Sequence, residues 1–76
     1  MKVYRELQDI LNASLPDEVL QTFKECLGQK VYYAFEDNCC ARRLVGLAYI
    51  EDTPYYLVAK DDQEFAINIW TRLKKL

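Results

Sequence analysis

Along the first third of the chain the apolar positions recur at helical spacing. Val3, Leu7, Ile10 and Leu11 share one face at about 100° per residue, with Tyr4 at its edge, which predicts a short amphipathic helix. Asn12-Ala13-Ser14 interrupts the pattern, and Ser14 with Asp17 has the form of a capping box in which aspartate takes the acidic position. Pro16 suits a first helical turn, so a second helix is predicted from Leu15. Its apolar face carries Leu15, Val19, Leu20, Phe23, Cys26 and Leu27, and Gly28 is its left-handed stop. From Lys30 onward the period changes to two. Val31, Tyr33 and Phe35 alternate with Tyr32 and Ala34 in a strand over 30–36, followed by the connection Asp37-Asn38-Cys39-Cys40-Ala41. Residues 43–50 and 55–60 form a central antiparallel pair rich in β-branched and aromatic residues. Phe65, Ile67 and Ile69 alternate with Ala66, Asn68 and Trp70 in a last strand over 64–71. No connection contains Asn-Gly or Asp-Gly, so loops built on type I turns are expected in place of two-residue hairpins.

The predicted fold is therefore α+β, two N-terminal helices followed by a four-stranded antiparallel sheet (α-α-β-β-β-β), in a single domain spanning 1–76. Two helices cover only one face of that sheet. Strict alternation places Tyr32, Val45, Leu47, Tyr49, Tyr56, Val58 and Trp70 on the other, and so apolar a face is either curled away from water or covered by a partner. Gly46, alone within a strand, is the position for a bulge or sharp bend. A strongly bent, SH3-like or Sm-like sheet is the expectation, with a flatter sandwich that forms a homodimer through its free face as the alternative. Tyr49, Tyr32 and Trp70 are the candidate protein-interface residues.

At 76 residues the chain buries only about 60% of its unfolded surface, so nearly every apolar side chain is needed in one core. The 51% hydrophobic and 29% charged composition is that of a folded domain. Ten Lys and Arg against twelve Asp and Glu leave a net charge of −2, too small to capture nucleic acid at long range, so such binding requires a local patch. No apolar run approaches the length of a membrane span and no secretion signal is evident, which predicts a cytoplasmic protein without membrane contact. Three cysteines, Cys26, Cys39 and Cys40, are then expected reduced. Histidine is absent, no glycine-rich phosphate loop occurs and no nucleophile has a base beside it, so the chain is expected to be no enzyme and to need no metal or other cofactor. Asp61, Asp62, Glu64 and Asp37 form an acidic tip, read as solubilising turn residues.

Several segments resemble the WYL domain, a regulatory module of bacterial transcription factors and phage-defence regulators. The similarity runs over about residues 19–76 and rests on Leu27-Gly28-Gln29-Lys30-Val31-Tyr32-Tyr33, Arg43-Leu44-Val45-Gly46-Leu47, Tyr55-Tyr56-Leu57-Val58-Ala59, and a closing strand with Arg72 before Leu73. Tyr55 stands where the family's tripeptide begins with tryptophan, and Gly46 where a proline is usual. The resemblance implies that Arg43, Arg72 and Tyr56 face a shared groove for a nucleotide or single-stranded nucleic acid. The residues themselves add that Arg42 and Lys60 can join Arg43, Arg72, Lys74 and Lys75 in a basic patch, with an aromatic ring as a stacking plane. A small non-enzymatic binding or regulatory module is the expectation. The alternative is a small interaction or inhibitor protein, of viral or mobile-element origin, that uses its tyrosine-rich face or its acidic tip to block a protein partner.

Overall fold

The computed structural model describes residues 1–33 and 41–76. Its elements are β1 (Lys2–Tyr4), α1 (Leu7–Leu11), α2 (Asp17–Cys26), β2 (Lys30–Tyr33), β3 (Arg42–Ile50), β4 (Thr53–Lys60), β5 (Gln63–Asn68) and β6 (Leu73–Lys75). All six strands belong to one antiparallel sheet in the order β5-β4-β3-β2-β6, with β1 lying beside β3. This corrects the expected four-stranded sheet. The predicted continuation of β2 to Glu36, the place of Phe35, the connection through Cys39 and Cys40, and Asp37 at the acidic tip lie outside the described residues.

The two extra strands come from the ends of the chain. Strand β3 is long enough to hold β4 along one edge and two short partners along the other, β2 opposite Arg42 and Arg43 and β1 opposite Leu47 to Tyr49. Val3 and Tyr4 thus pair with Ala48 and Leu47 and do not begin a helix, because an open sheet edge satisfies their backbone groups. At the other end β6 pairs with β2, Tyr33 opposite Leu73 and Val31 opposite Lys75. The chain therefore crosses from one sheet edge to the other within residues 69–72.

Most of the core is one cluster, with Ala48 and Leu57 buried outside it. Val19, Phe23 and Cys26, at helical spacing on α2, meet Val31 and Tyr33 of β2, Leu44 and Leu47 of β3, Tyr56 and Val58 of β4, and Ile10, Ile69 and Leu73. Phe23 is fully buried with its ring 5.2 Å from that of Tyr56, and burial of such a side chain contributes about 1.5–3 kcal/mol. This arrangement corrects the expected second apolar face. Leu44 and Leu47 are three residues apart and would point to opposite faces of a regular strand, but the β3/β4 register shifts between Leu44 and Gly46. The irregularity sits at the isolated glycine and restores the phase, so Leu44 opposes Val58 and Leu47 opposes Tyr56, all four in the core. Gly46 is also required by contact: a Cβ there would lie 2.5 Å from the Tyr4 carbonyl oxygen of β1.

Two local expectations are overturned. Helix α2 starts at Asp17 behind Pro16 with no side-chain cap, so Ser14 forms no capping box, while Gly28 does take the left-handed conformation at φ 82°. The hairpins are tight. Ile50 pairs with Thr53 and Lys60 with Gln63, leaving two-residue turns Glu51-Asp52 and Asp61-Asp62 in which Glu51, Asp52 and Asp61 have φ of 51°, 65° and 55°. Positive φ follows the right-handed twist that such turns must match, and acidic residues take it here without glycine. No helix among the described residues is long and apolar enough to cross a membrane.

Candidate functional site

A groove of about 760 Å³ runs between the first two turns of α2 and the connection from β5 to β6. One wall is Asp17, Glu18, Gln21 and Thr22 of the helix, and the other is Trp70, Arg72 and Lys74. The floor is apolar, made by Val19, Tyr56, Ile69 and Leu73, all also core residues. Packing of α2 on the sheet and the crossing from β5 to β6 thus create the groove together.

Trp70 is its most exposed large hydrophobic side chain, at 74%. A turn holds it in place: the Trp70 N–H donates to Asn68 Oδ1 at 2.7 Å and the Thr71 N–H donates to the Asn68 carbonyl at 3.0 Å. The asparagine side chain replaces a backbone acceptor, which fixes the chain direction at the indole. Helix geometry sets the opposite wall, where residues three and four apart share a face. The Thr22 hydroxyl donates to the Glu18 carbonyl at 3.0 Å, and the Gln21 amide donates to Glu25 at 2.9 Å. Tyr56 is 2% exposed, and burial pushes its hydroxyl up, opposed in part by a hydrogen bond with the Thr22 side chain.

Of the sequence-predicted ligand residues, Tyr56 and Arg72 reach this groove and the others do not. Arg43 is exposed on β3 and donates to the Gly28 carbonyl at the end of α2. Arg42 stacks over the Phe65 ring at 4.7 Å and the Tyr33 ring at 5.7 Å, and donates to the Tyr33 hydroxyl. Lys60 is exposed at the end of β4. Arg42, Arg43 and Lys60 thus lie outside the groove lining, and Tyr56 presents to the groove floor little of the ring face that base stacking needs. Among the predicted interface residues, Trp70 lies in the groove and Tyr32 is 40% exposed on β2 opposite Lys74. Tyr49 is half-buried edge-on against Tyr4 at 6.1 Å, beside a smaller hollow of about 380 Å³ lined with Asp9, Asn12 and Ala13.

Sequence reasoning missed the acidic wall. Asp17 was read as a capping residue, whereas it lines the groove with Glu18, Gln21 and Thr22 on a polar helix face for which no partner was predicted. Among the described residues no cluster of three or more acidic or cysteine side chains is arranged to hold a metal ion. Cys26 is buried, and desolvation, with Glu25 adding, pushes its thiol up while Lys75 opposes, so it behaves as a core residue. Away from the groove, Arg5 clasps Glu64 with both guanidinium nitrogens, at 2.9 and 3.1 Å, tying the end of β1 to β5.

Comparison with known protein families, with curated proteins and with solved structures finds no match to this chain.

Proposed function

We propose that this chain is a small non-enzymatic binding protein that docks a segment of a protein partner in the groove between α2 and the β5–β6 connection, with Trp70 as anchor. The observation that carries this reading is an indole left 74% exposed on a hydrogen-bonded turn above an apolar floor, in a domain that has few apolar side chains to spare. Tryptophan is a preferred anchor of protein interfaces because it offers a large area with few rotatable bonds. The turn already holds the backbone at Trp70, which leaves only the indole rotamer to be ordered on binding.

The nucleotide or single-stranded nucleic acid reading, which the WYL-like segments support, uses the same groove, with a base on Trp70 and phosphates on Arg72 and Lys74. Asp17 and Glu18 on the facing wall disfavour a polyanion there, and Arg42 and Arg43 point their guanidinium groups to other partners. A protein segment of mixed charge fits both walls.

The test is selection of peptides from a displayed random library on the immobilised protein, with Trp70→Ala as the comparison and labelled oligonucleotides run in parallel. Selected peptides should bind the variant about thirtyfold more weakly, the loss of roughly 2 kcal/mol typical of an anchoring residue, while the variant melts as the parent does. Peptides that bind Trp70→Ala undiminished would refute the groove. Retention of oligonucleotides alone, weakening steeply with salt, would replace this reading by the nucleic-acid one.

A further inference from the structure

The chemistry of the groove narrows what its occupant must present. The indole face attracts a cation through the ring quadrupole, best of all the aromatic side chains, and guanidinium does so more often than ammonium. Across the groove stand two carboxylates, Asp17 and Glu18, on adjacent positions of the first turn of α2, with Gln21 and Thr22 one turn further on the same side. None of the ion pairs or hydrogen bonds between described side chains ties Asp17 or the Glu18 carboxylate, so both are open to an occupant of the groove. Arg72 and Lys74 on the Trp70 side supply the opposite charge, so the two walls of the groove differ in sign.

We infer that the groove takes a peptide segment carrying an arginine, its guanidinium stacked on Trp70 and facing Asp17 and Glu18, with an acidic group of the same segment directed to Arg72 and Lys74. This deepens the proposal above and rests on it. An anionic anchor would meet the two carboxylates, and a purely apolar one would leave both charged walls without a complement.

The experiment is a nuclear magnetic resonance titration of the isotope-labelled protein with three blocked peptides, acetyl-Gly-Arg-Ser-Ser-Asp-Gly-amide and the same peptide with citrulline or glutamate in place of arginine. The arginine peptide should shift the Trp70 indole N–H and the amides of Gln21 and Thr22. Citrulline keeps the near-planar shape of arginine but carries a neutral urea, with a carbonyl acceptor in place of one terminal nitrogen, and should bind about five- to tenfold more weakly, since an exposed cation–π contact and an exposed ion pair each contribute about two- to fivefold. The Asp17→Asn, Glu18→Gln double variant should weaken the arginine peptide about fivefold and leave the citrulline peptide unchanged, a pattern that partial unfolding would not produce. Equal binding of the arginine and citrulline peptides, tighter binding of the glutamate peptide, or no indole shift with the arginine peptide would overturn the inference. Library peptides that depend on Trp70 yet carry no basic residue would overturn it alone and leave the binding groove standing. Library peptides indifferent to Trp70→Ala would remove both.

Discussion

Gly46→Ala tests the packing that sets the phase of the whole sheet. The added Cβ would sit 2.5 Å from the Tyr4 carbonyl oxygen and 3.5 Å from the Arg5 Cα, so it falls about 0.9 Å short of ordinary contact with an oxygen that belongs to backbone. That oxygen cannot rotate away, because Tyr4 is in register with Leu47 and its ring packs edge-on against Tyr49. Either β1 moves off β3 or the irregularity at Leu44 to Gly46 is reshaped, and overpacking of this kind costs about 1–3 kcal/mol. In a domain of this size each kcal/mol lowers the melting temperature by about 4–8 °C. Thermal and urea melts followed by circular dichroism give the loss, and hydrogen exchange at the Val3 and Ala48 amides shows whether β1 has detached. The cycle closes with a chain lacking residues 1–5, in which the obstructing carbonyl is gone and the same alanine should cost less than about 0.5 kcal/mol. A melting temperature within about 2 °C of the parent with β1 still protected, or an equal loss in both backgrounds, would refute the reasoning. Gly28→Ala is the contrasting case: nothing lies within 4 Å of its Cβ position, and its cost of about 1 kcal/mol comes from φ of 82° and is independent of β1.

Replacing Glu51-Asp52 by Asn-Gly should raise stability by about 1 kcal/mol, because those residues hold φ of 51° and 65° at lower cost; an unchanged urea midpoint would contradict it. The Arg5 guanidinium holds the Glu64 carboxyl below the usual carboxylate range, so its share of stability is present above the unfolded value and lost as pH falls through the folded one. Carbon-detected titration should show the Glu64 midpoint rising in Arg5→Gln, and a midpoint that stays put would dispose of the ion pair. Burial raises the Tyr56 hydroxyl, so the unfolded chain ionises first in alkali and the parent loses stability from about pH 10 upward; Tyr56→Phe should lose less over that range in paired urea melts. In a Cys39→Ser, Cys40→Ser background, Cys26 should react with a thiol reagent at neutral pH at least about tenfold more slowly folded than in urea, and equal rates would show that its burial is not maintained.

Most of the local structure is legible in the residues. The helical spacing of Val19, Phe23 and Cys26, the stop at Gly28, and the strands at β2, β3, β4 and β5 follow from short-range pattern. The candidate site was less so. Arg72 and Trp70 were identifiable as individual residues, but their facing of Asp17 and Glu18 arises from contacts some fifty residues apart in sequence, which no window of local pattern contains. Arg42 and Arg43 are a second case. Nothing local says which face each takes, and alternation along a strand sends one to the rings of Tyr33 and Phe65 and the other to the Gly28 carbonyl.

What the sequence by itself determined is the set of elements that carry their own signal: an amphipathic helix ended by a glycine, a change to period-two alternation, a glycine inside a strand as the site of an irregularity, and a composition that requires a single core. Only the tertiary structure decided that Lys2–Tyr4 and Leu73–Lys75 become strands, since three residues form a strand when an open edge supplies their partners and otherwise remain hydrated. It also decided the face of the β3 residues beyond Gly46, because the irregularity in β3 reverses the phase of alternation and moves Leu47 and Tyr49 to the core side. The groove is the consequence of both: β6 brings Arg72 and Lys74 beside α2, and the crossing from β5 leaves Trp70 at the rim.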